Sequence, residues 1–297
     1  MNTVHYTHCP VCNSQRINPL LTVKDHSVSK QDFVIWQCSD CTLRFTQDVP
    51  AEDSIGSYYQ SENYISHTNT SKGFINGIYQ RVRKFTLHQK ASLVIGRTKQ
   101  KGRVLDLGAG IGAFLHTMKE RSWDVTGIEP DYGARQQALK LFNLQLNETT
   151  ALKELAPGSF DAITLWHVLE HVHSLHEYLE QLKNLLDKDG KIFIAVPNYN
   201  SKDSSIYKLY WAAYDVPRHL YHFNPLSMNV LMSKHGLKIV EKKPMWFDSF
   251  YISLLSSQYK NGKSNWIGAG LAGFRSNLRA LLNRDRCSSL IYIIEKA

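Results

Sequence analysis

The residues of this chain best suited to hold a metal are four cysteines in two pairs, Cys9-Pro-Val-Cys12 and Cys38-Ser-Asp-Cys41, with 25 residues between the pairs. Two thiolates three positions apart in a tight turn can reach one ion at about 2.3 Å, and two such knuckles close a tetrahedral shell. Four sulfur ligands leave no position for water, so the zinc this spacing predicts is structural; a redox pair is the alternative reading of a C-x-x-C motif. His5, His8 and His26 are near enough in sequence to substitute as ligands, but beside four cysteines they read as surface residues. Cys287 stands alone and reads as a buried thiol.

A second group of residues points to different chemistry. Val104-Leu105-Asp106-Leu107-Gly108-Ala109-Gly110-Ile111-Gly112-Ala113-Phe114 is an apolar run that breaks into glycines and then resumes as a helix. Glycines at the carboxyl edge of a parallel sheet remove side chains, so a ligand can lie against the backbone at a helix N-terminus. Taken alone, Gly108-x-Gly110-x-x-Ala113 also fits a dinucleotide fingerprint. Asp106 moves the reading away from that: two residues before the first glycine, a carboxylate would meet an ammonium group and would repel a pyrophosphate. Glu129, in Gly127-Ile128-Glu129-Pro130 at the end of the next apolar run, is placed to accept hydrogen bonds from both hydroxyls of a ribose. A third run, Phe160-Asp-Ala-Ile-Thr-Leu-Trp166-His167-Val-Leu-Glu-His171, ends in a polar and aromatic cluster.

Positioning these groups takes strands and helices in alternation, and residues 103–196 supply them. V-L-D-L, D-V-T-G-I-E, L-Q-L, F-D-A-I-T-L-W and K-I-F-I-A-V alternate with helical stretches from about Ala113, from about Gly133 and over Leu175 to Leu186. This predicts a parallel α/β sheet covered on both faces. L-K-I-V-E near residue 239 and S-L-I-Y-I-I-E near residue 292 bring the expected total to seven strands. Upstream, residues 1–48 read as a small zinc ribbon. Residues 49–102 read as a polar, tyrosine-bearing linker and a basic helix in which Phe74, Ile78, Val82 and Phe85 repeat at helical spacing. Residues 103–297 form the expected core domain, with a lid insertion at about 197–225 and a helical insertion at about 245–287.

Composition sets the outer bounds. In 297 residues, 43% hydrophobic and 21% charged, the balance is globular and excludes disordered, collagen-like and coiled-coil chains. No eighteen apolar residues run together and no basic-then-apolar leader opens the chain, so a cytoplasmic location is expected. The net charge of +9 is concentrated. Nine basic residues and no acid lie between Ser71 and Arg103, and eight basic residues face two acids between Lys242 and Cys287. These segments read either as solvated helix faces or as landing surfaces for an anionic acceptor or a membrane. The ribbon is neutral and lacks a basic stripe, which disfavours nucleic acid as a partner.

Taken together, D-L-G-A-G-I-G, G-I-E-P, F-D-A-I-T-L-W-H-V-L-E-H and G-K-I-F-I-A-V-P resemble the class I S-adenosylmethionine (SAM) dependent methyltransferases over roughly Arg103 to Val240. The resemblance implies a seven-stranded doubly wound Rossmann-like sheet whose last strand is antiparallel and inserted between the fifth and sixth. It implies that Asp106 and the loop Gly108, Ala109, Gly110 and Gly112 hold the methionine end of SAM, that Glu129 with Pro130 meets the ribose, and that Trp166 and His167 wall the sulfonium. Adenine contacts would fall near 149–152, where this sequence lacks the commoner acidic residue. The four-cysteine module and the tract Asp215-Val-Pro-Arg218-His219-Leu-Tyr221-His222-Phe223 also resemble a bacterial subgroup related to sugar and small-molecule methyltransferases.

A sulfonium carries its own leaving group, so such a protein must orient the acceptor, exclude water and, for a hydroxyl or carbon acid, remove a proton. The candidate bases are His167, His171, His219 and His222, accompanied by Tyr214, Arg218 and Tyr221; a purely structural role for the 215–223 tract is the alternative. The expected acceptor is a small anionic molecule, such as a sugar nucleotide or glycoconjugate intermediate, with phosphates meeting Arg81, Arg83, Lys84 or Arg218. Competing readings are an RNA or protein methyltransferase docking through the ribbon, and a non-catalytic SAM-fold adaptor. The aromatic-rich insertion after Met245 reads as a helical cover on the sheet or as an interfacial helix making peripheral membrane contact.

Overall fold

The computed structural model describes residues 2–59, 74–98 and 102–297, the side chains of 74–80 excepted. The central part of the expected linker, 60–73, therefore lies outside the described residues, as do Lys72, Lys99 and Lys101 and the side chains of Phe74 and Ile78. In chain order the N-terminal strands are β1 (Thr3–Val4), β2 (Ile17–Lys24), β3 (Asp32–Cys38), β4 (Arg44–Thr46) and β5 (Val49–Pro50). Helix α1 (Phe74–Ile95) precedes β6 (Arg103–Leu107), α2 (Ala113–Lys119), β7 (Asp124–Ile128), α3 (Tyr132–Phe142), β8 (Phe160–Trp166), α4 (Leu175–Leu185) and β9 (Leu186–Pro197). The remaining elements are α5 (Lys202–Tyr207), β10 (Tyr221–His222), α6 (Pro225–Lys234), β11 (Leu237–Pro244), α7 (Asp248–Asn261), α8 (Trp266–Leu282) and β12 (Ser289–Lys296).

The alternating apolar runs assemble into a sheet of order β11-β12-β9-β8-β6-β7. Strand β6 is parallel to both neighbours, with Asp106 in register with Gly127 on β7 and Thr164 on β8. The last strand, β12, lies between β9 and β11, the place the resemblance implied. Among the described residues this sheet has six strands rather than seven. Where a third strand was expected, the short L-Q-L run between asparagines makes only a parallel bridge of Asn147 with Ile128. The chain then turns into a 3₁₀ helix at Thr149–Glu154.

Two compact units emerge, and they do not follow the linear division of the sequence. Of the described residues, 2–59, 169–175 and 195–292 form one, while 74–98, 102–168, 176–194 and 293–297 form the other. In the first unit, β2 and β3 form a long hairpin with an irregularity between Pro19 and Leu21, where proline cannot donate to the ladder. Strand β4 pairs with β3 on one side and with β10 on the other, all antiparallel. The 215–223 tract thus supplies the fourth strand of the ribbon's sheet. Beneath it, Val23 and Ile35 pack with Trp211, Tyr214, Val216 and Ile252.

The second unit buries Ala91 and Val94 of α1, Val104, Leu115, Met118 and Phe193 in one apolar core. Helix α3 starts at Asp131, whose carboxylate accepts the Ala134 N–H at 2.6 Å. That cap fixes the chain just beyond Glu129, so the strand tip that carries the acid is followed by a defined turn.

Candidate active site

In the second unit the sequence-predicted cofactor residues come together at the carboxyl ends of β6, β7 and β8. Gly108, Gly110 and Gly112 have φ of 63°, 54° and 77°, the left-handed region that side chains avoid. A Cβ on Gly108 would lie 2.6 Å from Val168 Cγ2, whereas a Cβ on Gly110 would meet none of the described residues within 4 Å. The turn is therefore closed on one side and open where a ligand could approach. Glu129 ties it down: Oε2 accepts the Gly110 N–H at 2.7 Å and Oε1 accepts the Asp131 N–H at 2.9 Å. Burial pushes the Glu129 pKa up, and those two backbone donors oppose the rise. Arg135 donates to the carbonyls of Glu129 and Pro130 at 2.7 and 2.8 Å, which stiffens the G-I-E-P tip.

Asp106 is sealed more deeply, at 2% exposure. Because it sits in register with Thr164, the two side chains share a face, and Thr164 Oγ1 donates to Asp106 Oδ1 at 2.5 Å. Burial raises the Asp106 pKa to about 7; the Thr164 bond and the Lys90 charge pull it back, and Glu129 adds repulsion. The Lys90 ammonium lies 4.4 Å from the centroid of the Trp166 ring, which itself stands edge-on to Phe114. A cation is thus held against an aromatic face, within the field of a buried acid. Among the described residues, the buried Trp166 Nε1 meets no acceptor. His167, beside it, is a non-glycine residue at φ 60°, a conformation that costs roughly 1–3 kcal/mol and recurs at functional sites.

Sequence reasoning missed Lys90 and Thr164. Thr164 carried a signal, being the one hydroxyl in an apolar strand and in line with Asp106. Arg83 and Lys84, expected on acceptor phosphates, line an open cleft of 520 Å³ with His88, His116, Glu120 and Phe142. Near residues 149–152 the backbone is occupied internally, with the Gln181 amide donating to the Leu152 carbonyl at 2.8 Å.

The base candidates His171, His219, His222 and Tyr221 belong to the first unit. The rings of His171 and His219 pack edge to face, 4.6 Å apart. His219 Nδ1 lies 2.9 Å from the Ala213 carbonyl oxygen and must donate to it, so Nε2 carries the lone pair of the neutral ring. Nε2 is 4.0 Å from Asp215 Oδ2. His171 Nδ1 likewise meets the Arg218 carbonyl at 2.9 Å, and the Tyr59 hydroxyl at 3.0 Å. Burial and the neighbouring His219 lower the His171 pKa to about 4, which keeps its ring neutral. Tyr221 is 2% exposed, donates to the His173 carbonyl at 3.2 Å and contacts the Tyr6 hydroxyl at 3.4 Å. His222 is buried with Nε2 3.1 Å from Thr46 Oγ1.

Arg218, read in the sequence as a phosphate contact, holds carboxylates instead. At 1% exposure it donates to Asp215 through Nε and Nη2 at 3.0 and 2.6 Å, to Asp25 at 3.2 Å, and to the Tyr58 carbonyl at 2.9 Å. Asp25 also accepts the N–H groups of Ser27, Val28 and Ser29. Burial pushes both acids up, but the Arg218 charge and these donors outweigh it and leave both pKa values lowered.

In the same unit Cys9, Cys12, Cys38 and Cys41 converge, with their sulfurs within 4.8 Å of one another. Cys9 and Cys41 are 3.5 Å apart, as are Cys12 and Cys38. The nearby histidines are not among them: His5 pairs with Asp48 and His26 stacks on Tyr259. Cys287 is buried, and burial raises its pKa to about 12.

Residues 79–242, more than half of the chain, match the family described as a methyltransferase domain. The chain belongs to that family. It is 35% identical over 107 residues to the ubiquinone biosynthesis O-methyltransferase of Aeromonas salmonicida (strain A449), covering 34% of this chain and 45% of that protein. With the protein of the same name from Pectobacterium carotovorum subsp. carotovorum (strain PC1) it shares 30% identity over 129 residues, covering 39% and 54%. The chain spans about half the length of these curated relatives. Among solved structures, the 1,6-didemethyltoxoflavin-N1-methyltransferase of Burkholderia thailandensis, crystallised with 1,6-didemethyltoxoflavin and S-adenosylhomocysteine, matches with a TM-score of 0.52. That match covers 93% of this chain and all of the other at 14% identity, which is a likeness of fold. The fold of this methyltransferase-domain chain is thus α/β and Rossmann-like, as the sequence implied.

Removing Arg218 would strand two buried acids. Arg218→Leu is expected to cost about 3–5 kcal/mol in urea unfolding at neutral pH. Because the folded pKa values of Asp25 and Asp215 are lowered, that stabilisation is present above the ordinary carboxylate range and is lost as pH falls through their folded values. The gap between parent and variant should therefore narrow in acid.

Proposed function

We propose that this chain transfers a methyl group from SAM to the hydroxyl of a small-molecule acceptor. The observation that carries the reading is the pairing of Asp106 and Glu129 around the left-handed glycine turn, with open space at Gly110 and, at the end of the neighbouring strand, a buried Trp166 Nε1 that meets no acceptor among the described residues. These residues fit a cationic amino acid joined to a ribose. The ionised Asp106 would take the ammonium, in the field where Lys90 now lies. A carboxylate offers about four lone-pair sites, so Glu129 can keep its two backbone donors and still accept ribose hydroxyls. The aromatic face of Trp166, which holds the Lys90 cation, is chemically suited to a sulfonium. When bound, SAM supplies a methyl group on a sulfonium that is its own leaving group.

For proton removal we favour His219. Its tautomer is set by Ala213, its Nε2 presents a lone pair, and Asp215 would stabilise the imidazolium that forms. The pKa of His171, lowered to about 4, makes it a poor base, and its Nδ1 contacts suit a residue that orients the 215–222 backbone. Tyr221 and His222 are read as structural. The relatives' name, ubiquinone biosynthesis O-methyltransferase, favours an oxygen acceptor, and nothing in it favours the sugar nucleotide expected from the sequence. Cys9, Cys12, Cys38 and Cys41 fit one structural zinc. Bonds of about 2.3 Å to a tetrahedral ion place sulfurs about 3.8 Å apart, near the spacing of the two close pairs.

Three measurements test these assignments. Titration calorimetry with S-adenosylhomocysteine should show affinity falling about fivefold from pH 7 to pH 6, as the ionised fraction of Asp106 drops from about one half to about one eleventh. Asp106→Asn should lose at least about tenfold and flatten the profile; a flat profile in the parent would remove Asp106 from the site. Once an acceptor is found with labelled SAM, His219→Ala should lower kcat by roughly 10²–10⁴-fold with S-adenosylhomocysteine affinity unchanged. Elemental analysis should find one zinc per chain, lost in Cys9→Ser or Cys38→Ser.

A further inference from the structure

Helix α8 is built with its bulk outward. The residues it buries are small, namely Ala269, Ala272, Gly273, Ser276 and Ala280. A Cβ on Gly273 would come within 2.7 Å of the Phe250 ring and 3.0 Å of its Cα, so α7 and α8 approach closely along that line. The large apolar residues lie on the other face. Ile267, Leu271, Phe274, Leu278 and Leu281 recur every three or four positions, each half exposed or more, with Ile267 at 79% and Leu281 at 68%. This is one continuous stripe along a helix of about 25 Å, and contiguous apolar surface of that kind marks an interaction site.

The charge around the stripe selects its occupant. Between Asp248 and Asp285 there is no acidic residue, while Lys260, Lys263, Arg275, Arg279 and Arg284 are all exposed. Arg275 and Arg279 each follow a stripe residue directly, so their aliphatic stems can lie along the apolar face with the guanidinium groups at its margin. A second copy laid on this face would bring like charges together. An anionic bilayer accepts both features, taking the apolar stripe at the headgroup boundary and attracting the cations. Among the described residues no helix is long and apolar enough to cross a membrane, so such contact lies in the plane.

We propose that α8 is an in-plane docking helix for anionic lipid bilayers. The full chain should co-sediment with vesicles of phosphatidylcholine containing about one third phosphatidylglycerol and much less with pure phosphatidylcholine, and added salt should release it. Arg275→Gln with Arg279→Gln should weaken binding to the anionic vesicles by on the order of tenfold. Ile267→Asn, Leu271→Asn and Phe274→Asn together should abolish it. All five side chains are exposed, so circular dichroism and Tm should match the parent; the arginine pair keeps the test intact if the triple variant misfolds. The proposal is overturned if the parent stays in the supernatant with both vesicle types, or if the arginine or asparagine variants bind as the parent does. It is also overturned if ultracentrifugation shows a parent dimer that the triple variant dissolves, with no vesicle binding by either.

Discussion

The Glu129 carboxylate, shared between the N–H of Gly110 and that of Asp131, is the constraint on which the rest of the candidate site depends. Three glycines in the left-handed region form a turn with little intrinsic preference for one shape. One acid at the neighbouring strand tip gives that turn a fixed position by occupying a donor on each side. It does so from a buried position that discourages its own charge, and Asp106 nearby is discouraged further. Two acids of depressed ionisation around an open backbone turn leave the place short of positive charge. The Lys90 ammonium partly answers that shortage from α1, resting on Trp166.

A second buried charge organises the other unit. Arg218 reaches the loop after β2 through Asp25, the segment after β5 through the Tyr58 carbonyl, and its own turn through Asp215. Each of its three nitrogens finds an oxygen, which is the condition under which a sealed guanidinium is tolerated. The same turn orients His171 and His219 through backbone carbonyls. The tautomers of both rings therefore follow from the fold around Arg218 rather than from any contact between their reactive nitrogens.

How far these features could be read from sequence depended on distance along the chain. The glycine turn, Asp106, Glu129 and each C-x-x-C pair lie within a few residues of one another, so spacing alone was informative. The alternation of apolar runs likewise located the strands of the main sheet, except that two leucines between asparagines were too short to extend a third strand beyond a bridge. What could not be read was pairing across most of the chain. Tyr221 and His222 drew attention as members of the Asp215–Phe223 tract in the insertion after the fifth core strand, and their pairing as ladder partners of Phe45 and Arg44 could not be foreseen. Arg218 looked like an anion ligand because its two aspartates are not both nearby in sequence. In α8 two apolar faces exist, one small and one large, and periodicity alone does not say which is packed.

The pairing of β4 with β10 has a consequence for synthesis. Strand β4 leaves the ribosome with β3 already beside it, but the strand that covers its other edge, β10 at Tyr221–His222, is made only after the whole stretch from β5 to α5 has followed. Throughout that interval the nascent hairpin presents bare peptide groups along β4, the kind of border that recruits stray strands from other polypeptides. Closing it requires a connection that contains all of the glycine-turn unit but residues 293–297, a slow, high-contact-order step. Completion of this four-stranded sheet must therefore wait on residues far downstream of its hairpin.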